Sequence, residues 1–419
     1  MKFSRPTTAL VSTALLVALL AGSASAADPG EPDPGFGVAS LATRSFVAPF
    51  SGRVEVEQRA GGGLVVGVAV NDTFRVVGYT ADGVSDPSFS SGASTVIIPG
   101  GNDVWLGNMT VLGNGKIVLV GRTKADPSQM VVARLATDGK PDTTFSGDGV
   151  ALFSIPKKAA SGHGVVATSR GKLVIVGDTS PLGGTRCDTA AIRVNRNGSL
   201  DRTFGKRGRV IVALRDGYNG CDGAWRVVHT GKGRVVMAGS QETADGMNTL
   251  LIALNANGTL NTGFSGDGIL VMNLKKGKDD YAAGLFYRQT TLVIGIAGTW
   301  NKPGLVRLTR AGRMDKSFGT NGKSWLTAGV EFGNLQSIAP DPWGNILGTG
   351  NAAGLPAFRA EREGAPDDTA FSPTAFTANV GTTAEGSDIT GEPWPSGDVV
   401  VSGAPWPDLD VAVLTRYIG

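Results

Sequence analysis

The sequence is poor in the residues that most often carry catalysis or bind metals. It contains two histidines, His163 and His229, and two cysteines, Cys187 and Cys221, among 419 residues. Neither histidine has a partner at the spacing of a metal site or a catalytic triad, so both are expected to be structural or surface residues. The glycine-rich segment 61–63 runs into a strand and not into a helix, which excludes a phosphate-binding loop. The sequence therefore predicts no catalytic residue, no metal ligand and no cofactor.

Excess charge and long apolar runs are lacking as well. The chain has 39 lysines and arginines against 36 aspartates and glutamates, a net charge of +3, so nothing in it favours nucleic acid as a partner. Beyond residue 26 no apolar run is long enough to cross a membrane, and no membrane span is expected. The 62 glycines, without any long amphipathic helix pattern, favour short strands joined by many turns.

The first 26 residues have the pattern of a cleavable signal peptide. Lys2 and Arg5 precede an apolar stretch over 9–21, and residues 24–26 supply the small side chains of a cleavage site. The stretch is too short to span a bilayer, although a membrane anchor is the alternative interpretation. Ser23 stands where a lipoprotein would need cysteine. The chain is therefore predicted to be secreted, with residues 27–419 as the mature, extracellular protein.

A motif of the form Gly-x-x-Asp/Asn-x-x-Phe recurs along the whole mature chain. Its copies begin at Gly30, Gly83, Gly139, Gly198, Gly258, Gly312 and Gly364 and end at Phe36, Phe89, Phe145, Phe204, Phe264, Phe318 and Phe371, the last copy with one extra residue. These phenylalanines are 53, 56, 59, 60, 54 and 53 residues apart, which indicates a repeat architecture. Glycine permits the positive φ of a tight turn, and Asp or Asn bonds to backbone amides two residues on, so the motif predicts a structural turn.

A second landmark, an apolar run ending in glycine, recurs at the same interval. It is clearest as Gly115-Lys-Ile-Val-Leu-Val-Gly121 and Gly171-Lys-Leu-Val-Ile-Val-Gly177. A continuous apolar strand has both faces buried, as a central strand of a propeller blade does. With four short strands in each unit, the period favours a β-propeller blade over the much shorter coils of a β-helix.

These two motifs resemble those of the delta-60 repeat family, a set of bacterial β-propeller-like repeats. The resemblance lies in the Gly-Lys-Ile/Leu-Val-x-x-Gly strand and in the Asp-x-x-Phe turn with a following glycine, as in Phe145-Ser-Gly-Asp-Gly149. It covers nearly the whole mature chain and implies a propeller fold. It implies no activity, because the family has no common chemistry to transfer.

The predicted fold is an all-β, single-domain propeller of seven four-stranded antiparallel blades. The units are expected at about 37–89, 90–145, 146–204, 205–264, 265–318, 319–371 and 372–419. The last unit lacks a turn motif at its end, whereas residues 28–36 supply one at the start, so these residues are predicted to close the ring. The order of the strands from the axis outward stays open, and a monomer is expected.

The two cysteines fit an exported propeller. An even cysteine count in an exported protein predicts one disulfide, here Cys187–Cys221. Both residues fall in predicted loops at the same face of adjacent blades, so the bridge is sterically plausible. Two free buried thiols are the alternative, since cysteine is often simply buried.

The loops at one face of the predicted ring are longer and more variable than those at the other. Such loops on a rigid scaffold are a common seat of recognition. The aromatic candidates for a ligand face are Trp105, Tyr218, Tyr281, Trp300 and Trp406, with Asp222, Asp279 and Asp280 among the nearby carboxylates. The predicted function is a secreted, non-enzymatic binding protein for an extracellular protein or glycan, with recognition on this face or in the central channel. The alternative is a secreted hydrolase or lyase acting on polysaccharide, with a site in the channel mouth.

Overall fold

The computed structural model describes residues 35–37, 41–45, 51–100, 103–214, 220–298, 304–325, 334–341, 343–350, 357–363, 384–390, 399–405 and 411–417. These residues form 27 strands and two short 3-10 turns, Ser90–Gly92 and Ser169–Gly171. The first strand, β1, spans Leu41–Ser45. Among the described residues no helix has the length and apolar character needed to cross a bilayer.

Five antiparallel sheets of four strands follow one another along the chain, and in each sheet the strands pair in chain order. Blade 1 contains β2 (Glu55–Gln58), β3 (Leu64–Val70), β4 (Thr73–Tyr79) and β5 (Ala93–Ile97). Blade 2 contains β6 (Val104–Val111), β7 (Ile117–Thr123), β8 (Met130–Leu135) and β9 (Val150–Phe153). Blade 3 contains β10 (Lys158–Ala167), β11 (Leu173–Pro181), β12 (Asp188–Val194) and β13 (Arg209–Val212). Blade 4 contains β14 (Gly223–His229), β15 (Val235–Thr243), β16 (Gly246–Leu254) and β17 (Ile269–Met272). Blade 5 contains β18 (Asp280–Arg288), β19 (Thr291–Gly298), β20 (Gly304–Thr309) and β21 (Lys323–Trp325).

The remaining strands form a three-stranded sheet and a closing blade. The three-stranded sheet contains β22 (Leu335–Pro340), β23 (Ile346–Gly350) and β24 (Ala357–Ala360). The closing blade contains β25 (Ala384–Thr390), β26 (Val399–Pro405), β27 (Val411–Tyr417) and, as its outermost strand, β1. Strand β1 runs antiparallel to β27, with Leu41 opposite Thr415. The first and the last described strands therefore pair in one sheet.

The predicted count of seven four-stranded blades is wrong, although the all-β propeller with antiparallel blades is confirmed. The described residues form six four-stranded blades, and β22–β24 is a sheet of three strands. In blades 1 to 5 the outermost strand follows the phenylalanine turn, as β9 follows Phe145. After Phe371 the sequence reads Ser372-Pro373-Thr374, and proline cannot donate a ladder hydrogen bond. Residues 364–383 lie outside the described part of the chain.

The order of strands from the axis outward follows from their pairing. The first strands of neighbouring sheets contact one another in turn, from β2 through β6, β10, β14, β18, β22 and β25 and back to β2, so these strands surround the axis. The strand after each phenylalanine turn therefore lies on the outside of its blade. The apolar core lies in layers between blades, where Phe74 of blade 1 and Leu119 of blade 2, for example, belong to one buried cluster.

The phenylalanine of each turn that the structure describes is fully buried. Phe89 packs on Gly139, the first glycine of the next motif, and Phe36 packs on Gly83 in the same way. Gly139 and Gly83 have φ of +85° and +74°, and a Cβ at either position would collide with the ring. The glycine and the phenylalanine of the motif are therefore the two halves of a blade junction.

The aspartate of the motif is the centre of a buried ion cluster in blades 2 and 3. Arg134 Nε and Lys116 Nζ both donate to Asp142 Oδ2 at 2.6 Å. Arg134 also stacks over Phe145 at 4.6 Å and donates to the carbonyl oxygen of Arg196 in blade 3. The same arrangement recurs in blade 3 with Arg193, Lys172 and Asp201. The polar residues of the repeat thus reinforce the junction that the ring and glycine make.

Candidate functional site

The strands around the axis carry β-bulges near their starts. The pairing of the first strand with the second skips His163 in β10, Trp225 in β14 and Gln336 in β22. These bulges lie at matching places, because the residue before each one pairs with the glycine that ends the apolar run of its sheet, as Gly162 pairs with Gly177. A bulge bends its strand and re-aims its side chain. These three sheets therefore place three different residues, His163, Trp225 and Gln336, at equivalent bulges.

The glycine at the end of the apolar run is required by this geometry. A Cβ on Gly177 would collide with the carbonyl oxygen of Ser161, and one on Gly239 would collide with that of Gly223. Both carbonyl oxygens belong to the axial strand beside the bulge. The second sequence landmark therefore marks the close approach of the two strands.

Two pairs of rings join neighbouring blades at the axis. Trp105 of β6 and His163 of β10 meet edge to face, with ring centroids 5.2 Å apart. Trp225 of β14 and Tyr281 of β18 meet in the same way at 5.6 Å. All four residues are half-buried. Burial raises the pKa of the Tyr281 phenol and the negative charge of Asp279 raises it further, so the neutral hydroxyl keeps its proton for donation.

A polar network connects the same strands. Glu55 accepts hydrogen bonds from Arg53 Nε at 2.8 Å and from Asn108 Nδ2 at 2.6 Å. Arg53 and Arg226 both donate to the carbonyl oxygen of Gln336, at 3.0 Å and 2.9 Å. Side chains from blades 1, 2 and 4 and the backbone of the three-stranded sheet are thereby joined around the axis.

His163 is oriented by a carboxylate from its own blade. Its Nε2 is hydrogen bonded to Oδ2 of Asp178 in β11. Its Nδ1 is buried and, in the part of the chain that the structure describes, has no hydrogen-bond partner. A histidine ring held by a carboxylate can transfer a proton, and a buried ring nitrogen normally has a partner. The residues described here around the axis are together called the axial cluster: Arg53, Trp105, His163, Asp178, Trp225, Arg226 and Tyr281.

Two of the five aromatic residues predicted for a ligand face belong to the axial cluster. Trp105 and Tyr281 lie at the starts of axial strands and not in exposed loops. Tyr218, Trp300 and Trp406 lie outside the described residues. A role in binding stays a prediction for all five.

The carboxylates named with these aromatics support the backbone. Asp280 is fully buried and accepts hydrogen bonds from the amide and the hydroxyl of Thr249, at 2.9 Å and 2.7 Å. Asp279 accepts from the amide of Met247 at 3.0 Å, and Asp222 accepts from the amide of Glu242 at 3.2 Å. These carboxylates therefore fix strands and loops beside the channel.

Cys187 and Cys221 form the predicted disulfide, with an S–S distance of 2.12 Å. The bridge joins the loop between β11 and β12 to the residues that precede β14. Beside it the amide of Asp222 donates to the carbonyl oxygen of Cys187 at 3.1 Å. The disulfide thus links the loop after Asp178 to the strand that carries Trp225, close to the axial cluster.

Sequence reasoning missed His163, Asp178 and Trp225. His163 was expected to be structural because no partner stands at triad spacing, yet the pairing of β10 with β11 brings Asp178 to its ring. The available signal was Gly162-His163-Gly164, since glycine inside a strand often marks a bulge. His229, by contrast, accepts a hydrogen bond from the amide of Gly233 at 3.1 Å and has a structural role. Among the described residues no group of three or more His, Cys, Asp or Glu is placed to hold a metal ion.

Comparison with known families identifies the repeat in sequence. The family described as "Domain of unknown function (DUF5122) beta-propeller" matches residues 112–145 and 171–204. These segments hold the apolar strand and the phenylalanine turn of blades 2 and 3. Sequence and fold together show a β-propeller repeat protein. No curated protein matches the chain in sequence.

Solved structures are similar in fold at low identity. A catalytically inactive histidine-to-alanine variant of virginiamycin B lyase from Staphylococcus aureus, crystallised with quinupristin, has a TM-score of 0.52 and 8% identity over 90% of this chain and 99% of that one. A streptogramin B lyase structure has a TM-score of 0.50 and 12% identity over 90% of this chain and 98% of that one. At such identities the likeness shows the propeller fold alone.

Proposed function

We propose that this chain is a secreted, non-enzymatic binding protein made of delta-60 type repeats, and that it binds an extracellular glycan at the axial cluster. The signal-peptide pattern of residues 1–26 supports secretion. The Cys187–Cys221 disulfide agrees with an oxidising compartment. The repeat motifs support the family.

The observation that carries the proposal is the concentration of different aromatic and polar side chains at one place on a repeated scaffold. Trp105, Trp225 and Tyr281 offer ring surface, while Arg53 and Arg226 offer guanidinium donors. A few polar groups set among aromatic walls are typical of small-ligand sites. Sugars present both hydroxyl groups and apolar ring faces, so they suit this combination.

A glycan array probed with the purified protein, followed by titration of each glycan that binds, tests the proposal. Trp105→Ala is expected to weaken binding about tenfold, because a half-buried aromatic contact contributes about 1–2 kcal/mol. Trp343→Ala is the matched control, since Trp343 is 52% exposed and lies in the turn between β22 and β23. Unchanged affinity in Trp105→Ala, with circular dichroism matching the unmodified protein, would refute the axial site.

A polysaccharide lyase or hydrolase is the second candidate, and the His163–Asp178 pair favours it. A carboxylate that orients the ring lets a histidine act as a general base, the first requirement of proton abstraction. Two proteins of similar fold are lyases, and one of them was crystallised with quinupristin, which makes quinupristin a reasonable probe beside acidic and neutral polysaccharides.

Turnover of any probe by the unmodified protein, detected by mass spectrometry, would replace the binding proposal with the enzymatic one. His163→Gln is then expected to abolish turnover while leaving the fold intact. Binding without turnover across the same set of probes would support the non-enzymatic function.

A further inference from the structure

A basic groove lies on the outer wall of the ring, between the outermost strand of blade 2 and the outer part of blade 3. Its volume is about 790 Å³. It is lined by three arginines, two serines and an apolar floor, namely Arg202, Arg207, Arg209, Ser154, Ser199, Leu152, Phe153 and Leu200. The groove and the axial cluster lie at opposite edges of the blades, because the groove is formed at the outermost strands and the cluster at the innermost ones.

The positive charge of the groove is not neutralised within the described residues. No carboxylate there lies within 4.0 Å of Arg202, Arg207 or Arg209. Asp201 is the one acidic residue in the sequence from 195 to 212, and it is already bound by Arg193 and Lys172. Arg202 and Arg207 are exposed, whereas Arg209 is fixed by two hydrogen bonds to the carbonyl oxygen of Ser154, at 3.0 Å and 3.3 Å.

The same turn carries the opposite charge in other blades. The third residue after the phenylalanine, which precedes a glycine, differs in charge between blades. It is Asp148 in blade 2, Asp267 in blade 4 and Arg207 in blade 3. Asp148 and Asp267 accept the backbone amide two residues on, at 2.9 Å and 2.8 Å. An arginine cannot accept that bond, so in blade 3 the amide of Arg209 donates instead to the carbonyl oxygen of Lys206 at 3.3 Å, and the turn gains a cation.

We propose that this groove binds an anionic polysaccharide, a sugar chain that bears carboxylate or phosphodiester groups. Arginine pairs bidentately with carboxylate and phosphate oxygens, which suits a repeating anion better than a single neutral sugar. The hydroxyl group of Ser154, which accepts a hydrogen bond from Gln129, can still donate to a sugar hydroxyl, and Leu152 and Leu200 supply apolar surface under a ring. The proposal does not depend on the axial cluster, because no residue is shared between the two sites.

Binding of the purified protein to polygalacturonate and to phosphomannan, a phosphodiester-bearing polysaccharide, with neutral dextran as the reference polymer, tests the groove. The double variant Arg202→Gln/Arg207→Asn removes two cations. Asn321 occupies the place of Arg207 in blade 5 with nearly the same backbone, φ +55° against +54°, so the asparagine is expected to fit the turn. Lys316→Gln/Arg313→Gln removes two exposed cations from the corresponding turn of blade 5 and is the matched control.

The double variant in the groove is expected to lose about tenfold in affinity for an anionic polymer, because it removes two exposed cations that can each form an ion pair with the polymer. Its affinity should also fall less steeply with added salt. The blade 5 control and the axial variant Trp105→Ala are expected to bind the anionic polymers as the unmodified protein does. Equal losses in the groove variant and the blade 5 control, or no binding of either anionic polymer by the unmodified protein, would overturn the proposal.

Discussion

The phenylalanine turns of blades 2 and 4 have the same backbone hydrogen bonding but differ in the charge of their side chains. The amide of Asp142 donates to the carbonyl oxygen of Arg134 at 2.9 Å, and the amide of Asn261 donates to that of Ala253 at 2.8 Å. Phe145 and Phe264 are both fully buried. Yet blade 2 has a carboxylate bound by two cations, whereas blade 4 has Asn261, whose Oδ1 accepts a hydrogen bond from the amide of Gly263 at 3.3 Å, and a buried alanine, Ala253, at the position of Arg134.

The difference separates what forms the junction from what reinforces it. Blade 4 keeps the turn and the buried ring without the ion cluster, so backbone bonds, glycine and phenylalanine suffice for the fold. The ions of blade 2 add links that blade 4 lacks, above all the bond from Arg134 to the carbonyl oxygen of Arg196 in the next blade. Polar residues of a repeat can therefore vary in one blade while its shape persists.

Removal of the central carboxylate of blade 2 should have the largest effect on the free energy of unfolding. Asp142→Ala leaves Arg134, which is 3% exposed, without its carboxylate, and stranding a buried charge costs about 3–5 kcal/mol of the free energy of unfolding. Asn261→Ala, the matched change in blade 4, strands no charge and should cost about 1 kcal/mol. Urea denaturation followed by circular dichroism measures both. Equal losses would mean that the ion cluster contributes nothing beyond the turn.

The fold was largely predictable because each element of the junction leaves its own mark on the sequence. Gly139 and Phe145 stand six residues apart, as Gly83 and Phe89 do, because each motif supplies a glycine on which the ring of the preceding blade packs and a ring that packs on the following blade. The count of complete blades was not predictable from the same marks. Phe371 ends a copy of the motif that has one extra residue. Among the described residues β22–β24 is a sheet of three strands, so a turn motif in the sequence does not by itself give the number of complete four-stranded blades.

Lowering the pH should destabilise blades 2 and 3 by an intermediate amount, because their motif carboxylates become protonated. Burial alone would raise the pKa of the Asp142 carboxyl, but hydrogen bonds from Lys116, Thr144 and Arg134 outweigh burial and hold that pKa well below its usual range. Asp201 is held low in the same way, with Lys172 as the first of its stabilising partners. Because the folded pKa lies below the unfolded one, this stability is complete above about pH 5 and is lost as the pH falls toward the folded pKa, on the order of 2 kcal/mol per carboxylate.

The double variant Asp142→Asn/Asp201→Asn isolates this contribution. Its free energy of unfolding, measured in urea from neutral pH down to the onset of acid unfolding, should be lower at neutral pH and should change less with acid than that of the unmodified protein. Parallel curves for the two proteins would contradict the assignment of the pH dependence to these clusters.

The axial cluster was predictable only in part, and the reason is again physical. Trp105 and Tyr281 stood out by residue type, but their neighbours depend on which strands adjoin at the axis. The His163–Asp178 contact joins residues 15 apart through a hairpin with a bulge, and neither the register nor the bulge is encoded by spacing alone. Repetition predicts the scaffold, whereas a site lies where the repeats differ.

Introducing the ion cluster of blade 2 into blade 4 should change the free energy of unfolding least. It tests directly whether the ions stabilise a junction that forms without them. Ala253→Arg with Asn261→Asp recreates the pair of blade 2, beside Arg234, which follows Gly233 as Lys116 follows Gly115. The gain in free energy of unfolding should not exceed about 1 kcal/mol at neutral pH, because the cost of burying a new ion pair offsets most of its attraction. It should vanish in acid, as the new aspartate becomes protonated. A loss larger than 1 kcal/mol would show that Ala253 is needed to leave space around Phe264, since overpacking a buried site costs about 1–3 kcal/mol; in that case the missing ions of blade 4 reflect packing and not tolerance.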